Sequence, residues 1–459
     1  MSQTGKSGGA RMSKSTLGSL SLNMSILISE SEEDCSPEWY VLFLYCITSF
    51  CQVVVWNTWS PIANSALYAY PSWKESTIAL LNNWSSITFL LFIMPSCWLL
   101  NSRGLRPAFV IATFLCVIGT GIRLIPADDD TFTSLAHMGS ILNSIGGVTL
   151  SPAIVLLSST WFPPNQRTSA TGIGTSLSLL GIAGSYILGP TLVSEPLGPT
   201  DEDRQTVRNE IDVLLLISFL LELFLFDLVF FTFPIQPQRP ASRSAILRGS
   251  VETDFFSEVV QTAKNKSFWV LALASGLCSG ITGPWLSLLT IIFAQTGITQ
   301  SETAKLGFWT IVCSCLLGLS VSRASDAFQG HLKPILMLMI AFGDFMFLWI
   351  VLITTNIVPF NKGSLAVVVI GGLSSIWSTP ALFYELGAEI TFPIQEGIVA
   401  GCMMAVNNMC ACLVYLQLYI FPSIDVSWMN YGLFVFGLMS LTLLSFVKET
   451  YNRLALDVT

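Results

Sequence analysis

The sequence predicts an all-α membrane protein in which 12 transmembrane helices form two six-helix bundles. Three observations carry that expectation. The 459 residues are 52% hydrophobic and 11% charged, with a mean hydropathy of +0.65, whereas soluble domains are about 25% charged. Apolar segments near the ~20 residues needed to cross a bilayer divide six and six around a polar linker. Lys and Arg are spread unevenly over the loops between them, and that bias sets membrane orientation.

In chain order the segments are 39–67, 78–100, 107–125, 135–162, 168–193 and 211–233, then 268–293, 306–321, 335–353, 365–386, 397–420 and 426–447. They imply a disordered polar tail over 1–38, an N-terminal bundle over 39–233, a linker over 234–266, a C-terminal bundle over 267–447 and a short tail over 448–459. The first tail is Ser-rich without a cleavable signal, so the first segment acts as its own insertion signal. Fifteen Lys and Arg fall on the side of the tails and linker and five on the other, with Arg123 inside the third segment. This bias predicts that both termini and the linker are cytosolic. The acidic loops Asp128–Asp130 and Asp201–Asp203 lie opposite. Within the linker, Pro234, Pro237 and Pro240 end the sixth helix. Val251 to Ala263 then reads either as an amphipathic helix, with Phe255, Phe256, Val259 and Val260 on one side, or as a disordered tether.

Soluble enzyme classes are excluded by what the chain lacks: phosphate loops, catalytic triads and metal clusters are all missing. Two histidines, His137 and His331, supply no ligand set, and no cofactor is expected. Eleven cysteines lie in the apolar spans apart from Cys35, which gives no disulfide framework. Without a dense basic face, nucleic acid is not an expected partner.

The stretch V-V-V-W-N-T-W-S-P-I-A-N-S-A, Val53 to Ala66, sits in the first apolar run and is unlike a lipid-facing one. Polar amides in hydrocarbon cost free energy unless they face protein or water. Trp56, Asn57, Trp59 and Asn64 are therefore read as lining a cavity near mid-helix; the alternative is helix packing and an interfacial aromatic belt. Trp285, just past Pro284, adds a ring, and Asn407 and Asn408 add amides. Such a set suits a flat, neutral or weakly basic heteroaromatic with hydroxyls, a small-molecule substrate.

Acids within spans are expensive and are functional candidates. Glu222 and Asp227 lie in the sixth span, Asp344 in the ninth and Glu385 at the end of the tenth. Glu385 is the first candidate for proton coupling and Glu222, central in its span, the second. Pairing with Arg323, Lys333 or a linker cation is the competing role for Glu385. His137 is a candidate sensor of an acidic lumen, with an ordinary surface histidine as the alternative.

Two loops match across the halves: W-L-L-N-S-R-G-L-R, Trp98 to Arg106, and G-L-S-V-S-R-A-S-D-A-F-Q-G-H-L-K, Gly318 to Lys333. Arg103, Arg106, Arg323 and Asp326 there could form a conformational latch by charge pairing and helix-dipole contacts. The pattern resembles the loop signature of the major facilitator superfamily, with Asn101 where an acid is common. Further motifs are W-N-T-W-S-P-I-A-N-S-A, G-T-G-I-R-L-I-P at Gly119 to Pro126, F-Y-E-L-G-A-E-I-T-F-P-I-Q-E-G at Phe383 to Gly397 and E-T-Y-N-R-L-A-L-D-V at Glu449 to Val458. With these the chain resembles solute carrier family 49, the relatives of the feline leukaemia virus subgroup C receptor, from Trp39 to the C-terminus.

That resemblance implies the major facilitator superfamily fold and a multi-pass lysosomal membrane carrier. It would work by alternating access, moving pyridoxine, a form of vitamin B6, to the cytosol by proton-coupled symport. Glu385, Glu389, Pro393, Glu396 and Gly397 match the family motif. Choline-carrying relatives use a tryptophan where Trp56 stands, but Gly147, Gly283 and Asn408 replace other parts of their site. The two glycines are expected to enlarge the cavity. The alternatives are a choline-like or haem-like solute, a plasma-membrane location, or a receptor or scaffold without turnover. Tyr451 and Leu454 have the tyrosine-x-x-bulky form read by endosomal sorting adaptors.

Overall fold

Helix boundaries follow the points where proline, glycine and polar residues interrupt the apolar segments. The computed structural model describes residues 37–194, 201–237, 255–287, 292, 300–328, 330–420 and 428–458, apart from the side chains of 63, 64, 75, 76, 79, 287, 300, 301, 303, 304, 415–420, 457 and 458. Among the described residues there is no strand, and 12 helical spans are long and apolar enough to cross a membrane.

The first half contains α1 (Pro37–Trp56), short α2 (Ala63–Ala69), α3 (Glu75–Arg103), α4 (Leu105–Gly121), α5 (Asp129–Trp161), α6 (Arg167–Leu192) and α7 (Asp201–Thr232). In the linker lies α8 (Phe255–Lys264). The second half contains α9 (Lys266–Gly280), α10 (Thr282–Ser287), α11 (Gln300–Ala327), α12 (Leu332–Thr354), α13 (Lys362–Trp377), α14 (Pro380–Thr391), α15 (Glu396–Ile420) and α16 (Trp428–Phe446), followed by α17 (Asn452–Val458) in the tail. Side-chain caps begin several of these. Asp128 accepts from the Thr131 N–H, Asn265 from Phe268 and Asn361 from Gly363 and Ser364, each satisfying an end-of-helix donor. The two matching loops both turn on a glycine in the left-handed region, Gly104 and Gly330, each with φ 83°. A side chain strains there.

Three spans are broken where continuous helices were expected. α1 stops at Trp56, and residues 57–62 form turns before α2. Pro61 lacks an N–H and fixes φ, while the Thr58 hydroxyl donates to the Val55 carbonyl at 2.7 Å and competes with the helix ladder. The Trp56–Pro61 stretch therefore sits at the end of a helix rather than at its middle. The seventh span breaks at Ile281 between α9 and α10, next to Gly280. The tenth breaks at Ser378–Thr379, and Pro380 starts α14. That span continues to Thr391, which brings Glu389 as well as Glu385 into it.

Across the halves, α6 packs on α11 and α3 on α15. The linker helix α8 contacts both α3 and α15. Its inward face is not the one expected: Phe255, Glu258 and Thr262 are buried, while Phe256 and Val260 are exposed. Residues 238–254, including the start of the expected amphipathic segment, lie outside the described residues.

Candidate substrate site

All three breaks open onto one space. A cavity of about 430 Å³ lies between the halves. Trp56 comes to it from the end of α1, Ser279 from α9, and Trp377, Ser378 and Pro380 from the α13/α14 break. Discontinuous helices at mid-membrane are where carriers build binding sites, because freed backbone is tolerated only where it borders a cavity. Among the described residues, none of those lining it is Asp, Glu, Lys, Arg or His. That wall combines rings, amides and hydroxyls with aliphatic side chains such as Val53, Leu179 and Met404.

Each indole is pinned by its own half. Trp56 Nε1 donates to the Asn82 carbonyl at 3.0 Å, and Trp377 Nε1 donates to Thr282 Oγ1 at 2.8 Å. With their N–H groups engaged, both tryptophans offer the cavity apolar ring surface. Gln52 and Asn143 exchange hydrogen bonds: Gln52 Nε2 donates to the Asn143 carbonyl at 3.2 Å, and Asn143 Nδ2 donates to the Gln52 carbonyl at 3.3 Å. A Cβ on Gly147 would lie 2.5 Å from Gln52 Nε2. Gly147 thus seats the Gln52 amide in the wall, so the space it leaves is filled rather than open. Gly283, by contrast, has nothing within 4 Å of a built Cβ. Three buried polar atoms on lining residues have no partner: Ser144 Oγ, Ser322 Oγ and Asn407 Oδ1. Each costs ~1–3 kcal/mol unless a guest or water satisfies it.

Of the residues expected at a binding site, the structure brings Trp56, Asn407 and Asn408 together; Asn408 Nδ2 is turned to the Met404 carbonyl of its own helix at 2.9 Å. Asn57, Trp59 and Trp285 are elsewhere. Asn57 donates to Ser185 Oγ at 2.8 Å and ties α1 to α6. Trp59 is 1% exposed in a ring cluster with Trp73 and Phe132, at centroid distances of 5.0 and 6.5 Å. The break after Trp56 turns both residues out of the α1 face that borders the cavity. Trp285 is 0% exposed and its Nε1 donates to Asn430 Oδ1 at 2.8 Å, fixing α10 to α16. The side chain of Asn64 lies outside the described residues. Sequence reasoning passed over Tyr45, Gln52, Trp377 and Tyr384, all of which line the cavity. Gln52 carried a usable signal as an amide in an apolar run, and Trp377 stood beside the helix-breaking S-T-P.

On the side of the linker and tails, the halves are locked together. Asp326 at the end of α11 accepts from the Thr168 and Ser169 N–H groups at 3.1 and 2.7 Å, a carboxylate on the N-terminus of α6, where the helix dipole favours it. Asp326 thus makes a helix-dipole contact of the kind expected, whereas the arginines of the two loops do not join it. Arg103 and Arg323 are exposed, and Arg106 donates to the Phe230 carbonyl of α7 at 3.2 Å, within its own half. Close approach reinforces the lock: a Cβ on Gly172 would overlap Ser322 Oγ, and one on Gly401 would overlap Cys97 Sγ.

Beside this closure, the tail docks on the second half. Arg453, 1% exposed, bonds Glu385 and reaches Glu389 at 3.0 Å and Glu396 at 3.1 Å. Burial alone pulls its guanidinium down, and the three carboxylates more than reverse that, holding it above its ordinary value. Glu385 is therefore held by Arg453 rather than Arg323 or Lys333, and is not free in the cavity. Tyr451 accepts the Leu332 N–H at 2.7 Å, and Leu454 donates its N–H to Glu389 at 3.1 Å. The Tyr451–Leu454 stretch is docked here, and the helix begins at Asn452. Glu222 lies in α7 away from the cavity lining, and His137 accepts from Trp84 Nε1 at 3.0 Å.

Comparison with known proteins agrees with this architecture. The family model described as Major Facilitator Superfamily matches residues 41–416. The solute carrier family 49 member 4 homolog of Xenopus tropicalis is 33% identical over 436 residues, covering 92% of this chain and 93% of its own. The choline/ethanolamine transporter FLVCR2 of Homo sapiens is 24% identical over 385 residues, covering 80% and 68%. The E. coli fucose:proton symporter FucP shares the fold, with a TM-score of 0.69 at 14% identity over 89% of this chain and 98% of its own. Those relatives are carriers rather than enzymes, and the 12 spans, the cavity between halves and the family match lead to one statement: the chain is a transporter of solute carrier family 49, within the major facilitator superfamily.

Proposed function

We propose that this transporter exports pyridoxine from the lysosome to the cytosol by alternating access, driven by a proton gradient. The observation that carries the reading is the cavity wall, uncharged among the described residues, in which two pinned indoles stand with amide- and hydroxyl-bearing residues whose Ser144, Ser322 and Asn407 oxygens have no partner. Pyridoxine is a flat hydroxypyridine with hydroxymethyl groups. Its ring matches Trp56 and Trp377, and its hydroxyls can donate to Asn407 Oδ1 and to Ser144 and Ser322. Closure on the side of the linker and tails, cytosolic by the charge bias, leaves the cavity in a state for loading from the lumen.

Transport of choline or ethanolamine is a second reading, favoured by the choline/ethanolamine transporters among the relatives and by the two ring faces. A cation gains about 0.5–2 kcal/mol on an aromatic face, but among the described residues no carboxylate lines this cavity to balance a permanent charge. Labelled uptake by cells carrying the protein at the plasma membrane separates these. Acid-stimulated, saturable pyridoxine entry, unaffected by excess choline, supports the first. Choline entry without pyridoxine entry supports the second, and entry of neither supports a receptor or scaffold.

A further inference from the structure

Glu222 sits at the centre of the apolar segment 211–233 of α7 and is 0% exposed. Among the described residues it is the acid whose two carboxyl oxygens both lack a hydrogen-bond partner. An ionised carboxylate there would carry its desolvation cost with nothing to offset it. Such a residue inside a membrane span is expensive to keep and marks an ion or proton path.

The surroundings lead from this acid to the cavity. Cys51 of α1 and Cys116 of α4 lie close enough to feel its charge. The 3-10 turn Ile122–Leu124 brings Arg123, whose Nη2 is given to Ser140 Oγ at 3.0 Å. The other charged groups of α7, of which Arg208, Glu210, Asp212 and Asp227 are nearest in sequence, lie more than one helical turn away along the chain, and α2 presents Tyr68. From α6 the titratable side chains are Arg167, in the lock on the tail side, and Tyr186, exposed. Cys116 Sγ in turn approaches the Asn143 carbonyl at 4.0 Å. Asn143 is fully buried with an unpartnered Oδ1, and its reciprocal bonds to Gln52 end in the cavity wall.

We propose that Glu222 is the group that takes up and releases the coupled proton, and that Asn143 and Gln52 transmit its state to the cavity. The inference rests on the proton-driven reading above. With the proton bound, the neutral acid lets α1, α4 and α7 pack as observed. With the proton released, the carboxylate needs donors. Asn143 Nδ2 is bonded to the Gln52 backbone carbonyl, so turning it toward the carboxylate gives up that bond and releases α1 at the cavity wall. One proton is bound or lost and no covalent bond changes. Asp344, the other buried acid of a span centre, is set against Gly437 of α16 rather than against an amide pair.

The test uses the full-length protein in lipid vesicles and has two readouts. Infrared difference spectra between acidic and neutral pH need no substrate. A protonated-carboxyl band that disappears on raising pH should be present in the wild type and in Asp344→Asn, and absent in Glu222→Gln. Labelled pyridoxine supplies the second readout. Glu222→Gln should lose gradient-driven accumulation, falling to its equal-pH level, while exchange of labelled for unlabelled pyridoxine persists and shows that the variant is folded. Glu222→Asp should regain part of the drive. Persistence of the band in Glu222→Gln, or undiminished accumulation by that variant, overturns the proposal. If the wild type moves no pyridoxine, the functional reading fails, and the infrared band alone then decides for or against Glu222.

Discussion

Replacing Arg453 by alanine removes one cation from among three buried carboxylates. In the intact protein its guanidinium bonds Glu385, Glu389 and Glu396, and its backbone N–H donates to Glu389 at 3.0 Å. Breaking a buried charge network by removing one partner costs ~3–5 kcal/mol, because the remaining charges are stranded. At ~1.4 kcal/mol per factor of ten, the state closed on the tail side loses two to three and a half decades of population relative to one that hydrates the glutamates. Conformers of a carrier differ by only a few kcal/mol, so this inverts the balance. Cys97 reports it. Its thiol is 1% exposed, between α3 and the Gly397 carbonyl of α15, in the contact that closes this side. Labelling by an impermeant maleimide from the tail side, read by mass spectrometry at Cys97, should be slow in the wild type and faster by about two decades or more in Arg453→Ala. Arg453→Lys, which can hold one carboxylate but not three, should fall between. Equal labelling rates in a folded Arg453→Ala protein whose tail has become protease-sensitive would refute the tail's part in closure.

Other substitutions separate binding from packing. Trp56→Ala should raise the KM for pyridoxine about 2- to 12-fold, the equivalent of roughly 0.5–1.5 kcal/mol of ring–ring contact, and Trp56→Phe should recover part of it in the same uptake assay. Trp59→Ala should leave the KM of surviving protein unchanged but lower thermal stability by ~3–5 kcal/mol, the usual cost of emptying a buried aromatic site, read as a Tm shift in detergent. Gly172→Ala, which places a Cβ against Ser322, should weaken closure on the tail side and speed Cys97 labelling with little effect on Tm.

The fold was legible because its signals are global. Apolar length, the six-plus-six division and the matching loops depend on many residues, and one misplaced boundary changes none of them. The candidate site was legible in part. Trp56, Asn407 and Asn408 were readable as rings and amides inside spans, but Trp59 and Trp285 carry the same signal and are core. What separates them is the helix break after Trp56 and the packing of α10 on α16, and a single sequence does not give the direction in which a side chain leaves a broken helix. Gln52 and Gly147 show the same limit. The glycine reads as added space, and only the folded pair reveals that a neighbouring amide occupies it. Arg453 was hidden for a further reason: its partners lie 57–68 residues away, and its local context, Y-N-R-L, suggested a linear motif.

The most direct measurement of the central claim is an experimental structure of the protein in lipid with saturating pyridoxine. The account predicts a flat density between the halves, against the Trp56 and Trp377 rings and within hydrogen-bonding distance of Asn407. Density in the separate apolar crevice of about 320 Å³ bordered by Phe50, Ile187 and Leu221, or an unoccupied central cavity at saturation, would contradict it.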